Sequence, residues 1–390
     1  MPPFQEVRRT CPVSARFLLV MAWFSCSTNA PAWPADRAAL QTPTASALTT
    51  LADIEQSLQD HPPAWEHGNA RAAIAAALDQ QITVQVRDDM TDADRAQLQP
   101  LLEFYRRRVD AGLHTLANTP VADGLLIVKF YSSSVVLKCA AGCVAVDFCQ
   151  GPINNGGEPE TRDNRRTGFF WTVEQRDRLA RMVDVSIITH RHHDHADYSL
   201  SRRLVAQGKP VIGPPQLREL WQDLADGITV PDHGRVQQIG PAEIYTMPGY
   251  QFAQSRVDAL GEREGFPGDQ AAANTESIMY LLRVGGIVSL QGAENHVPAG
   301  EWLQQGSSLG MAPEVVFSVG QYQGQRSVDR VLRQLPPVFR IPVHEYELMH
   351  DNGGNRTAPW FTGTGRRAFD QRRSMPLFWG EHYLLTRKSL

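Results

Sequence analysis

The run Val185-Ser-Ile-Ile188 passes without a break into Thr189-His-Arg-His-His-Asp-His195, and this junction constrains the chain more than any other stretch. A short Val/Ile segment of this kind reads as a buried strand. The residues behind it hold four of the chain's 12 histidines, together with an aspartate. In extended backbone alternate side chains share a face, so His190 and His192 can converge while Arg191 and His193 point elsewhere. The chain then turns, which presents Asp194 and His195 nearby. Neutral imidazoles with a carboxylate suit Zn²⁺, with Mn²⁺ or Fe as substitutes. The competing reading is a solvated polar turn. A cluster this dense behind a buried strand favours the metal, and His193 reads as exposed instead of ligating.

The surrounding texture is that of an α/β protein. Leu125–Tyr131, Val135–Lys138 and Val144–Phe148 are short β-type runs separated by small-residue turns. A polar loop from Gln150 to Gly168 comes next. Thr172 with Gln175 three residues later is a capping-box pattern that opens a helix leading into the Val/Ile strand. Helix is expected from Asp197 to Gln207, strand from Pro210 to Gly213 and helix from Gln216 to Leu224. Further strands are expected at Glu243–Met247, Ser277–Val284, Ile287–Gln291, Glu314–Val319 and Val338–Val343. Strand runs followed by alternating strands and helices imply two sheets with helices outside.

Upstream, residues 36–120 read as an α-helical extension. Leu48, Leu51, Ile54 and Leu58 recur at helical spacing, and a second run from Leu98 to Leu116 starts after the cap candidate Thr91. Pro62-Pro63 ends the first helix and separates it from the second. Residues 1–30 read as a signal peptide or leader: Arg8, Arg9 and Arg16 precede the apolar run Phe17–Phe24, and small residues come after it. That run is too short to span a bilayer. Export would be to a bacterial periplasm, and no later stretch reads as long and apolar enough for a transmembrane helix. Lipid attachment at Cys26 is the less favoured form, because Trp23 and Phe24 fit a lipoprotein signal poorly. An oxidising compartment would allow a disulfide between Cys139 and Cys143, which flank a hairpin turn; three unpaired, partly buried cysteines, Cys149 included, is the alternative. With a formal net charge of -4, nothing favours nucleic acid or anionic membrane as a general partner.

Thr189-His-Arg-His-His-Asp-His195 resembles the T-H-x-H-x-D-H signature of the metallo-β-lactamase fold superfamily. The following Asp197 resembles the branch that includes N-acylphosphatidylethanolamine phospholipase D and the ascorbate-phosphate lactonases. Asp147 is similar to the family's early aspartate, which steadies the metal-binding loop. Ile341-Pro-Val-His344 is similar to its last ligand motif, and Trp379-Gly-Glu381 to its closing strand. The resemblance covers residues 122–390 and implies an αββα sandwich of two packed mixed sheets with helices outside. It also implies two metals. His190 and His192 belong to the first; Asp194, His195 and His344 belong to the second.

Two motifs depart from the pattern. The family's third histidine should follow Pro-Gly after the strand near Met247, and this chain has Tyr250 there. The bridging aspartate should follow Gly292, and this chain has Ala293-Glu294-Asn295-His296. Glu294, one residue late on a longer arm, is a candidate metal ligand. The expectation is therefore one Zn²⁺ ion, or one tight and one weak.

The chemistry implied is hydrolysis of a phosphodiester, lactone or other ester bond in a small-molecule or lipid-like substrate. Asp194 would bind metal and orient the water; Tyr250, Glu294 and His296 are candidate proton donors. A degenerate relative that binds a ligand or partner without turnover is the alternative, as is a metal-dependent oxidoreductase. Glu345, Glu347 and His350, and the Gly-rich stretch from Asp351 to Gly365, could flank the site or lie on the surface.

Overall fold

Each central strand of the domain is apolar on both faces, because each is covered twice. The computed structural model describes residues 43–82, 90–151, 171–192, 194–251, 254–257, 263–266, 275–291, 300–319, 338–344, 363–388 and 390. They belong to one compact unit, Thr42–Leu390. Three helices open it: α1 (Leu51–Asp60), α2 (Gly68–Gln81) and α3 (Asp92–Asn118). Then come β1 (Leu125–Lys129), β2 (Val135–Cys139), β3 (Gly142–Val146), α4 (Val173–Met182) and β4 (Val185–Ile187). Next are α5 (Tyr198–Ala206), β5 (Val211–Ile212), α6 (Gln216–Leu220), β6 (Ile228–Thr229) and β7 (Val236–Ile239). The chain continues with β8 (Ala242–Gln251), β9 (Gln254–Val257), β10 (Arg263–Phe266), β11 (Thr275–Val284) and β12 (Ile287–Gln291). It closes with α7 (Gly300–Ser308), β13 (Val315–Val319), β14 (Phe339–Val343), α8 (Gly363–Asp370) and β15 (His382–Leu385).

The strands form a seven-stranded sheet in the order β15-β1-β2-β3-β4-β5-β6 and a six-stranded sheet in the order β14-β13-β12-β11-β8-β7, with β9 and β10 a separate hairpin. Both large sheets are mixed. β3 to β6 run parallel, as do β12 to β14, while the other pairs are antiparallel. The period-2 alternation of strand side chains divides the core. Leu125, Ile127, Leu137, Val144 and Ile187 meet Ile244, Tyr280, Leu282, Phe317 and Ile341 between the sheets. Leu126, Val128, Val136 and Ala145 face outward onto the helices of the first half. Tyr245, Met279, Leu281 and Leu290 face outward onto Trp302 and Leu303 of α7. These four layers make a metallo-β-lactamase-like αββα sandwich.

Local expectations are met where the signal is local. Thr50, Thr91 and Thr172 each close a capping box, and α1 ends before Pro62. β8 runs past the expected Met247, through Pro248-Gly249, because it pairs with β11 along its whole length. Proline is tolerated there since β7 pairs only with residues 242–245 of β8, so Pro248 owes no N–H on that side. The expected helix to Leu224 ends at Leu220 and continues as 3-10 turns over Gln222–Gly227. Trp379-Gly-Glu381 does not form the closing strand. Gly380 takes a positive φ of 71°, and the strand starts at His382. Gly363–Gly365, the end of the Gly-rich stretch, begins α8.

The cysteines correct another expectation. Cys139 faces the inter-sheet core while Cys143 faces the helices, so the strand alternation points them apart and no disulfide forms. The hairpin register pairs Lys138 with Cys143, leaving Cys139 opposite Gly142.

The helices α1 to α3 are bound into the sandwich by polar as well as apolar contacts. Arg71, fully buried, makes a bidentate pair with Glu381 (3.0 and 2.6 Å) and donates to the carbonyls of His61 and Pro376. Breaking a buried pair of this kind by removing one partner costs about 3–5 kcal/mol. No helix among the described residues is long and apolar enough to cross a membrane. Residues 1–42, which include the leader, lie outside the described residues.

Candidate metal centre

The carboxyl ends of parallel strands are where open α/β sheets gather their functional groups, and the histidine turn leaves β4 there. Ala196 N and His195 N both donate to the His192 carbonyl, at 2.9 and 3.0 Å, which closes the turn. Its first residues are stitched to the opposite sheet. Ile278 N donates to the Thr189 carbonyl (2.8 Å), His190 bridges Ser277, and the Tyr280 hydroxyl donates to the Ile188 carbonyl (3.0 Å).

Asp147, just beyond β3, holds the turn from below. It accepts from Thr189 N (2.7 Å), from the Thr189 hydroxyl (2.9 Å) and from His195 Nδ1 (3.0 Å). A neutral His195 with its proton on Nδ1 would present the Nε2 lone pair to a metal, the arrangement by which a carboxylate orients a metal-binding imidazole. Nε2 of His195 lies 3.4 Å from Asp194 Oδ2, and Nε2 of His344 lies 2.6 Å from the same oxygen. The His344 backbone N donates to the Ser132 carbonyl (3.1 Å), which also accepts from the buried Lys129 ammonium.

Backbone conformation marks the same place. Ser132, Asp147 and His344 have φ of 46°, 44° and 68°; among the described residues only Arg372 is another non-glycine with positive φ. Such conformations cost of order 1–3 kcal/mol each and persist where surrounding contacts impose them. Here they do: all three residues are buried and hydrogen-bonded into the site.

Two groups of side chains bring one donor atom each to within 4.8 Å of one another: His190, His192 and Asp194, and Asp194, His195 and His344. Asp194 belongs to both. All are buried except half-buried His192. Burial pushes the Asp194 carboxyl up, but the His195 and His344 imidazoles, through charge and hydrogen bonds, outweigh it and hold it well below the usual carboxylate range. Burial, then the His195 and His192 imidazoles, hold His190 well below the usual imidazole range. A carboxylate held ionised beside clustered imidazoles is the donor set that a divalent cation of the zinc type takes, so the residues fit such an ion.

The structure thus gathers five of the sequence candidates, His190, His192, Asp194, His195 and His344. Tyr250 lies in β8 opposite Glu276, one residue beyond the Gly249–Ser277 pair that adjoins His190. Glu294 and His296 lie outside the described residues, as do His193, Glu345, Glu347 and His350. Sequence reading missed Lys129 and the Tyr131–Ser134 turn. A single lysine ending an otherwise apolar strand was the available signal. Ser133 Oγ comes within 3.4 Å of His195 Nε2, which nothing in the spacing announces.

Neither a protein-family model nor a curated protein matches the sequence. Solved structures similar in fold include a possible metal-dependent hydrolase from Veillonella parvula DSM 2008, at 14% identity over 68% of this chain and 100% of that one, TM-score 0.44. CmlA, a diiron β-hydroxylase from Streptomyces venezuelae, is similar at 17% identity over 69% and 55%, TM-score 0.42. The metallo-beta-lactamase fold protein YhfI from Bacillus subtilis is similar at 11% over 67% and 99%, TM-score 0.38. At these identities and scores the likeness says nothing about substrate, and the fold is defined by the strand order of the two sheets.

Proposed function

We propose that this chain is a metal-dependent hydrolase whose catalytic domain spans residues 122–390 and whose substrate carries a phosphodiester, lactone or other ester bond. The observation that carries the reading is the convergence of His195 and His344 on the ionised Asp194, with Asp147 fixing the His195 tautomer. Asp194, His195 and His344 would hold the tighter ion, and three protein ligands leave a place open for water or substrate. His190 and His192 would hold a weaker one, with Glu294 as an added ligand. When bound, such a cation supplies a water acidified toward neutrality and polarises a carbonyl or phosphoryl oxygen.

The chain's own residues do the rest. Asp194 stays ionised and can orient that water by accepting its hydrogen bond. Asp147 keeps the lone pair of His195 aimed inward. Tyr250 and Glu294 are the proposed proton donors to the leaving group. Zn²⁺ is the proposed ion, with Mn²⁺ or Fe as substitutes. The substrate is a small or lipid-like molecule, and residues 1–30 are proposed to export the protein to a periplasm.

A second reading has a specific basis: Tyr250 and Ala293 stand where the resemblance calls for a histidine and an aspartate. A chain with those losses could retain the cleft for binding without turnover. Metal analysis of the purified protein, with His192→Ala and His344→Ala beside it, tests the metal. Substoichiometric metal that neither variant changes would sink the hydrolase reading. Turnover of bis-p-nitrophenyl phosphate, lactones or nitrocefin separates the substrate classes, and metal without turnover on any of them favours the binding protein.

A further inference from the structure

We propose that the helical extension is part of the positioning apparatus of the metal centre, and that Tyr105 of α3 is the residue through which it acts. The inference rests on the reading of the turn as a metal centre. Tyr105 is fully buried, with its ring 5.0 Å from that of Trp379 and 6.0 Å from that of Tyr131. Its hydroxyl accepts from Trp171 Nε1 at 2.9 Å and donates to the Gln150 carbonyl at 2.7 Å. The direction is fixed, since the indole N–H can only donate and the carbonyl can only accept.

Gln150 passes the constraint on. Its backbone N–H and its Nε2 both donate to Asp197 Oδ2, at 3.2 and 3.1 Å. The other carboxylate oxygen of Asp197 accepts from Leu200 N at 2.7 Å and caps α5, the helix that leaves the histidine turn. The neighbouring Cys149 donates its thiol to the Asp194 carbonyl at 3.1 Å and its N–H to Ser134 Oγ at 2.6 Å. Residues 149 and 150 therefore form a splint. One side is fastened to α3 through Tyr105. The other grips the candidate ligand Asp194 and the carboxylate that ends the turn.

Every member of this chain of contacts is buried. A directional bond inside such a network specifies geometry, because removing one partner leaves the other's group unsatisfied in the interior. The helices upstream of residue 122 carry no ligand of their own. Their contribution is to decide where the backbone of Asp194 sits. Tyr105 touches no ligand atom and is a positioning residue.

The test uses the full chain with Tyr105→Phe, which keeps the ring packing and removes the hydroxyl. Leu113→Ala, a fully buried position in the same helix outside the splint, serves as the packing control. Two quantities are read. One is Co²⁺ affinity and the Co²⁺ absorption spectrum. The other is amide hydrogen exchange of the metal-free protein at Gln150, Ala196 and Leu200. The expected result for Tyr105→Phe is a loss of about tenfold in Co²⁺ affinity, a shifted absorption band and faster exchange at those amides. Leu113→Ala should lower the melting temperature at least as much while leaving affinity and those amides unchanged.

Unchanged affinity and exchange in Tyr105→Phe would overturn the proposal. So would equal losses of affinity in both variants. A wild-type chain that takes up no Co²⁺ overturns the metal-centre reading alone, and the exchange measurement then decides the splint by itself. Should Tyr105→Phe not fold, Gln150→Met, which removes the side-chain bond to Asp197, is read on the same two measurements.

Discussion

The two donor groups that share Asp194 are built to different standards. The group of Asp194, His195 and His344 is buried throughout, and each member is held from behind. Asp147 fixes His195, the Ser132 carbonyl fixes His344, and the Cys149 thiol reaches the Asp194 carbonyl. The group of His190, His192 and Asp194 includes a half-buried histidine and stands beside β8 and β11, where His190 bridges Ser277. The contrast teaches that a metal site's quality is set by what lies behind its ligands. Imidazoles and a shared carboxylate are common to both groups. Among the described residues the positive-φ backbone at Ser132, Asp147 and His344 serves the buried group, whereas His190 rests on the neighbouring Thr189 hydroxyl at 3.0 Å.

That contrast predicts unequal responses. The largest effect is expected from His344→Ala, which should remove the tight ion and lower turnover more than about a hundredfold, beyond the 10–100-fold typical of changes to residues that merely orient ligands. Metal content and kcat/KM measure it, and an unaltered metal content would show that the buried group is not the tight one. Asp147→Asn should fall next, weakening metal affinity by about 10–100-fold while all ligands remain. If it behaves like wild type, the His195 tautomer is set by something else.

His192→Ala should cost less. One equivalent of metal should stay bound, with any second equivalent weakened by about tenfold or lost. Loss of both equivalents would reverse the ranking of the two groups.

The smallest effect is on stability. Burial holds His190 well below the usual imidazole range, so the unfolded chain binds a proton that the folded chain does not, and stability rises with pH. Metal-free protein should therefore lose stability as pH falls below about 6.5, approaching ~1.4 kcal/mol per pH unit for that one proton. Urea titrations of chelated protein at stepped pH should show the slope, and His190→Gln should flatten it. An equal slope in the variant would clear His190 as its source.

The contrast was only half legible in the sequence. THRHHDH announced candidate ligands because four of them lie within six residues directly after a Val/Ile strand. Asp147 and His344 were found through their place at strand ends, which a resemblance could supply. Lys129 and Ser132 carried no such mark. Their importance comes from a carbonyl and a φ angle, and a sequence displays neither. The Cys139–Cys143 pairing, plausible on spacing, failed because a one-residue offset across the hairpin sends the two thiols to opposite faces.

By itself, then, the sequence determined the local order: the capped helices, the doubly apolar strands that must lie inside a layered sheet, and the clustering of candidate ligands in one turn. These depend on neighbours within a few residues, where propensity and periodicity act. Only the tertiary structure decided that His344 meets Asp194 across about 150 residues of chain, and that Tyr105, in a helix with no chemistry of its own, reaches the backbone beneath the site. Such contacts depend on which sheet faces and helices are pressed together, and burial, acting over the whole chain at once, settles that.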